Sequence, residues 1–332
     1  MQKRKGLAYV TTEQLKNLPK IELHCHLDGS LSMEFMKQKL GRSVSYQEIQ
    51  VSKDCDSLAE YLEKFDLPGQ CLKDADGLRK AGDDFLRSAS CENVIYTEVR
   101  FAPLLSVSSG MGTEQVIASL LEGLEKGRQD FGVEYNVITC AMRHHSPEEN
   151  LAMLQASQEF LGAGVCAADL AGAEASYPMS GFLELFEKVR QMGMPFTIHA
   201  GECGNAKNIA DAVEAGASRI GHGIAMTGKP KLQQICKDRH IGVEMCPVSN
   251  LQTKAVKHVE DYPLREFLDA GLLASIHTDN RTVSGTSLTK ELGFVQEVCK
   301  IHEEEIRLLQ RNAVETAFAD DVVKERLWKR LA

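Results

Sequence analysis

No stretch of this sequence approaches the ~18 consecutive apolar residues that a membrane span needs. No apolar h-region follows the basic residues 1–5 either, because Thr11, Thr12, Glu13 and Gln14 come next. The expectation is a chain without a span or a secretory leader, working in the cytoplasm. The ten cysteines are scattered and contain no C-x-x-C pair, so they read as reduced, mostly buried small hydrophobes rather than a disulfide framework. Low-complexity tracts, Pro/Gly/Ser-rich linkers and short repeats are also missing. Positive charge is in deficit: 38 Lys and Arg stand against 47 Asp and Glu, a formal charge of -9, with a pI near 5.6. An acidic surface repels phosphate backbones, which argues against nucleic acid as the main partner. A small neutral or cationic substrate is not disfavoured.

What is there is ordinary globular material, 43% hydrophobic and 26% charged over 332 residues, enough for one large α/β barrel or two medium domains. Short β-branched, apolar segments end in polar or Gly residues and alternate with helical patterns. The segments are 21–27, 94–102, 133–142, 165–171, 195–201, 219–223, 241–247 and 272–278. Between them, Ser146-Pro147-Glu148-Glu149 is a capping box with Pro at the first helical position, and Gly162 and Gly164 close that helix. Leu232, Ile235 and Cys236 form one amphipathic stripe, and Leu264, Phe267 and Leu268 another. Eight strands alternating with helices imply parallel βα units, and eight closes a barrel; a doubly wound open sheet is the alternative. The connection between the first two strands is far longer than a βα unit needs. Inside it Leu58, Tyr61, Leu62 and Phe65 share one helical face. Such a helix either forms a lid over the catalytic face or packs on its neighbours.

His24 and His26 lie two apart in the first strand, so both imidazoles point to one face. An H-x-H pair is a weak metal signal by itself, and two polar residues near a strand end are the plain alternative. His199 closes the fifth strand and Asp279 the eighth. All four fall at C-terminal strand ends, where barrel enzymes build their sites. Three imidazoles and a carboxylate suit zinc and leave room for a water. Glu202 and His222, at the ends of strands five and six, add an acid and a base on the same face.

His-Cys-His-Leu-Asp-Gly-Ser-Leu (24–31), Asp-Leu-Ala-Gly (169–172), His-Ala-Gly-Glu (199–202), Arg-Ile-Gly-His-Gly (219–223), Cys-Pro-Val-Ser-Asn (246–250) and Thr-Asp-Asn (278–280) resemble, in order and spacing, the motifs of the adenosine deaminase family. The likeness runs from about Leu18 to the C-terminal helices. It implies a single (β/α)8 barrel over 1–332, with a partly lid-forming helical insertion at 29–93 and extra C-terminal helices. It also implies one zinc per chain and replacement of the 6-amino group of adenosine, and of 2′-deoxyadenosine, by oxygen with release of ammonia. On this resemblance His24, His26, His199 and Asp279 hold the zinc, which lowers the pKa of its water from ~16 toward ~7. His222 and Asp279 orient that water and take its proton. Glu202 protonates purine N1, Gly172 offers its N–H to N3, and Asp28 contacts the ribose 5′-hydroxyl. Leu58, Tyr61, Leu62 and Phe65 complete the substrate pocket. The chain departs from the pattern at Asn280, commonly a second Asp facing N7. It departs also at Arg281, commonly Pro, at His277, commonly Asn, and at Ala173-Glu174, often Asp-Glu. His277 is expected to pack or to support its neighbours rather than to touch substrate.

Rival readings remain at this level. Adenine or 5′-modified nucleosides are alternative substrates, against which Asp28 speaks, since the longer Glu of such relatives would intrude on a 5′-hydroxyl. A two-metal amidohydrolase would use a modified Lys near the end of the fourth strand, and 169–172 contains none. A barrel that has lost catalysis and only binds would be expected to lack a ligand or the acid. Base-editing zinc deaminases need a Pro-Cys-x-x-Cys pair, absent here.

Overall fold

The computed structural model describes residues 9–52, 55 and 58–332, with the side chains of Leu58 and Ala59 outside that description. Eight strands appear in the expected places: β1 Lys20–His26, β2 Val94–Phe101, β3 Glu134–Met142, β4 Val165–Ala171, β5 Thr197–Ala200, β6 Arg219–His222, β7 Gly242–Met245 and β8 Leu273–Ile276. They form two parallel four-stranded sheets, β1 to β4 and β5 to β8. An Ala168–Phe196 bridge joins the sheets on one side. On the other, the Asp279 amide donates to His24 O at 2.9 Å and the His26 amide donates to Asp279 O at 2.7 Å. The result is a closed (β/α)8 barrel, not an open sheet, and a candidate metal ligand supplies its closing backbone contact.

Alternation along each strand puts every second residue inside the barrel. There the chain places an ion-pair relay where apolar strands alone would suggest hydrocarbon. Glu98 and Glu244 both pair with Arg219, and Arg100 joins Glu244 at 2.8 Å to Asp169 at 2.9 Å. All five side chains are fully buried. Phe318, on the segment after helix Glu303–Thr316, lies 3.9 Å from the Arg219 guanidinium and covers the floor of the relay.

The capping box at Ser146 forms as expected, but its helix, Pro147–Gln158, ends before Gly162 and Gly164. Those glycines instead turn the chain into β4 with φ 77 and 116. In helix Pro230–Asp238 Cys236 is buried whereas Ile235 stands 44% exposed, so that stripe is narrower than its pattern. In helix Leu264–Ala270 Leu264 and Phe267 are buried. The long connection after β1 holds helices Met33–Leu40, Tyr46–Ile49, Leu58–Leu62, Asp66–Gln70 and Ala75–Ser90. The last packs against helix Thr113–Phe131 and belongs to the outer ring. A Cβ at Gly123 would sit 2.0 Å from the Arg79 carbonyl, so glycine sets that crossing distance. The helix expected through Phe65 breaks: Leu58–Leu62 passes into a 3₁₀ turn at Glu63–Phe65 and resumes at Asp66. Helices Leu288–Cys299, Glu303–Thr316 and Asp321–Leu331 supply the C-terminal addition. Among the described residues no helix is long and apolar enough to cross a membrane. All ten cysteines are unpaired, and only Cys91 and Cys203 are exposed.

Candidate active site

At the C-terminal end of the barrel the strands deliver four donors to one point. His24, His26, His199 and Asp279 each aim a ligand atom so that all lie within 4.8 Å of one another. His26 Nε2 and His199 Nε2 are 3.1 Å apart, and Asp279 Oδ1 is 3.4 Å from Nε2 of both His24 and His26. The outer nitrogens are fixed by carboxylates: His24 Nδ1 meets Glu244 at 2.7 Å and His199 Nδ1 meets Asp169 at 2.9 Å. A carboxylate only accepts, so each Nδ1 carries the proton and each Nε2 turns a lone pair toward the shared centre. His24 Nε2 is buried there with no hydrogen-bond partner. An orphaned imidazole lone pair beside two more imidazoles and a carboxylate fits a divalent metal and fits a proton poorly. Gly221 makes room for this ring, since a Cβ there would approach His24 Cε1 to 3.0 Å.

Burial and neighbouring charge shift the four groups in different directions. Burial, with help from Arg100, pulls His24 down to about 4, and burial likewise holds His26 well below the usual imidazole range. His199 is raised: burial works against the charge, but the Asp169 carboxylate outweighs it. Burial alone would raise Asp279, yet the adjoining His24 ring and the other surrounding imidazoles hold it below the usual carboxylate range. Ser249 donates to Asp279 Oδ2. His222 Nδ1 faces Asn250 Nδ2 at 2.9 Å, and Asn250 Oδ1 accepts from Tyr262 at 3.3 Å. The amide therefore donates to Nδ1 and leaves the His222 proton on Nε2, which points toward Glu202 Oε2, 3.7 Å away. His222 and Asp279 both stand in the left-handed region, with φ 64 and 59, a conformation that costs on the order of 1–3 kcal/mol and clusters at working sites.

Above this centre opens a cavity of ≈ 350 Å³. Its walls include Asp28, Gly172, Glu202, His222, Asp279 and Asn280, with Tyr61, Leu62, Phe65 and Asp66 across the top. The insertion thus contributes to the cavity wall, and Tyr61 anchors it through a 2.7 Å bond to Ser284. The Leu58 side chain lies outside the described residues. Asp28 is raised to about 6, chiefly by burial. Gly172 has φ 104, so the turn requires glycine there whatever its N–H contacts. Asn280 sits with Oδ1 buried and unpartnered, close against Gly29, where a Cβ would come 1.8 Å from that oxygen. His277 faces away from the cavity, between Leu23 N at 3.1 Å and Ser275 Oγ at 2.7 Å, which is the supporting role expected of it. Sequence reasoning passed over Asp169, Glu174, Glu244, Ser249 and Asn250. Three of these lie inside the quoted motifs, but a residue that orients a ligand has no spacing rule of its own.

A closed barrel with a three-histidine, one-carboxylate group beside an acid and an imidazole at its catalytic end has the organisation of a metal-dependent barrel hydrolase. Residues 19–332 match the adenosine deaminase family. An adenosine deaminase from Enterococcus faecalis is 38% identical over 327 residues, covering 96% of this chain and 97% of that protein. This chain belongs to the adenosine deaminase family. Its fold is shared with the Arabidopsis N6-mAMP deaminase at a TM-score of 0.85 and 26% identity, over 96% of this chain and 99% of that one. It is shared equally with an adenine deaminase from Arthrobacter aurescens, TM-score 0.85 and 24% identity, over 95% and 98% of the two chains.

Proposed function

We propose that this chain is a zinc-dependent deaminase of adenosine and 2′-deoxyadenosine, holding one zinc at His24, His26, His199 and Asp279. The observation that carries the reading is the convergence of those four donors beneath a cavity that Glu202 and His222 also line. The chemistry that such an ion supplies when bound is Lewis acidity, enough to make water acidic near pH ~7. The protein's own groups do the rest. Glu202 gives a proton to ring N1, which breaks the aromaticity that protects C6. His222, fixed by Asn250, donates from Nε2 and orients the attacking water. Asp279, ionised and held by Ser249, takes one proton of that water and passes it to the 6-amino group; the C6–N bond then breaks, ammonia leaves, and the proton of the new C6 hydroxyl restores Glu202. Gly172 and Asn280 hold the purine edge at N3 and N7.

The choice between nucleoside and nucleotide rests on charge. Asp28, Asp66, Glu202 and Asp279 line the cavity, and among the described residues no Lys or Arg does. A phosphate would face carboxylates with no Lys or Arg to offset them, whereas a ribose 5′-hydroxyl can donate to Asp28. Ammonia release is to be measured from adenosine, deoxyadenosine, adenine, AMP and 5′-substituted adenosines. Adenosine and deoxyadenosine should lead. Without ribose Asp28 stays unpaired, so adenine should fall behind by roughly tenfold or more in kcat/KM. Asp28→Glu should lower adenosine turnover more than adenine turnover. Preference for adenine or AMP rejects the assignment.

A further inference from the structure

Glu174 is buried on the loop after β4 and does not line the cavity. Its carboxylate is nevertheless spent on the backbone that carries Glu202. Oε1 accepts from the Gly201 amide at 2.6 Å and from Asn208 Nδ2 at 2.8 Å. Oε2 accepts from the amides of Glu202 itself at 2.9 Å and of Cys203 at 3.1 Å. Four donors saturate the two oxygens, and three of them are consecutive backbone amides. The same turn is held from its other side, because the Gly201 carbonyl accepts from the Ala225 amide at 2.9 Å. Gly201 has φ 81, which a side-chain-bearing residue would resist. The remaining donor is itself immobilised: Asn208 Oδ1 accepts from the Met179 amide at 3.0 Å.

We infer that Glu174 is a positioning residue for the proton transfer at N1: it clamps residues 201–203 so that the Glu202 carboxyl is aimed into the cavity before substrate arrives. The inference rests on Glu202 being the proton donor. Its physical basis is that a reacting group must be held within a fraction of an ångström, and ~1 Å of misplacement costs ~100-fold in rate. A loop end with a flexible glycine does not hold such a tolerance alone. A carboxylate suits the task because every partner is a donor. A carboxamide in its place would turn its NH2 against N–H groups and lose about half of the clamp.

The test is a double-mutant cycle on the zinc-loaded enzyme, with Glu174→Gln, Glu202→Gln and the pair. Glu174→Gln should lower kcat ~10- to 100-fold, with KM for adenosine changed by less than about threefold. Bound zinc should be unchanged, and the amides of 201–203 should exchange faster. In the Glu202→Gln background, adding Glu174→Gln should cost little more, because the group being aimed no longer donates. Equal losses in both backgrounds overturn the inference, since Glu174 would then act through general loop stability. So does a Glu174→Gln enzyme with wild-type kcat. Wild-type turnover of Glu202→Gln instead removes Glu202 as the donor, and this inference with it. Should Glu174→Gln not fold, Glu174→Asp, which keeps the acceptors but shortens their reach, takes its place in the same cycle.

Discussion

In the proposed function Asn280 keeps the contact with purine N7 that the family's second Asp would make, with a different chemistry. An Asp in this position can donate to purine N7, an acceptor, only when protonated, whereas an amide donates at any pH. The structure holds Asn280 at the cavity wall with its Oδ1 pressed against Gly29. Its backbone is tied at both ends, since Ser284 N donates to Asn280 O at 2.9 Å and Arg281 N donates to Ser30 Oγ at 3.0 Å. Replacing the usual Pro by Arg281 has therefore not removed residue 280 from the site; the Arg281 guanidinium instead lies 4.0 Å from the Phe85 ring. 7-Deazaadenosine, with C–H at that position, should lose ~1–3 kcal/mol, roughly five- to 150-fold in kcat/KM, against the wild type. In Asn280→Ala the 7-deaza penalty should shrink toward unity. A penalty of the same size in both enzymes gives zero coupling and means that Asn280 does not read N7.

At the scale of elements, the short helix Pro247–Gln252 presents Ser249 to Asp279 and Asn250 to His222. It is held in turn by Glu291, from helix Leu288–Cys299, whose Oε2 accepts from the Val248 amide at 3.1 Å. Glu291 is fully buried, and burial pushes it up to about 8 from an ordinary 4.5. It is therefore protonated at neutral pH, and its Oε1 is buried away from water. The folded state keeps this proton where the unfolded chain has released it, so stability falls as pH rises from about 4.5 toward 8. The slope approaches ~1.4 kcal/mol per pH unit within that window. Below 4.5 both states are protonated and the contribution is complete. Glu291→Gln keeps an acceptor for Val248 and has nothing to titrate. Its melting temperature relative to wild type should climb between pH 5 and 8, as read by thermal unfolding across that range. Parallel curves would show that Glu291 is ionised in the fold.

For the whole molecule, the candidate metal centre and the closure of the barrel share one residue. Asp279 bridges β8 to β1 through its backbone and meets His24 and His26 through its side chain. Beneath it the relay from Glu98 to Asp169 ties β2, β4, β6 and β7 to His24, through Glu244, and to His199, through Asp169. Occupancy of the centre should therefore stabilise the entire barrel. Dialysis against a chelator should abolish turnover and lower the melting temperature by several degrees. Zinc added back should restore both, saturating at one ion per chain. Full activity of the metal-free protein, or saturation at two ions, would defeat the one-zinc assignment.

The sequence by itself determined the eight strands, the parallel alternation and the four donors at strand ends. These follow from periodicity and from local rules: i and i+2 share a strand face, and a residue at the end of a parallel strand emerges on one side of the barrel. Cap chemistry placed the start of helix Pro147–Gln158 for the same reason, since its partners are three residues apart. Only the tertiary structure decided what lies far apart in the chain. The helix through 58–65 gives way to a 3₁₀ turn at Glu63–Phe65, and Tyr61 reaches Ser284, 223 positions along the chain. The interior relay joins residues that are separated by up to 144 positions within a single bond, as in Arg100 and Glu244. Glu174 reaches the loop of Glu202 from 28 residues upstream. No periodicity records such pairings: a carboxylate that clamps, a carboxylate that orients and a carboxylate on the surface have the same letter, and only closure of the barrel brings their partners to them.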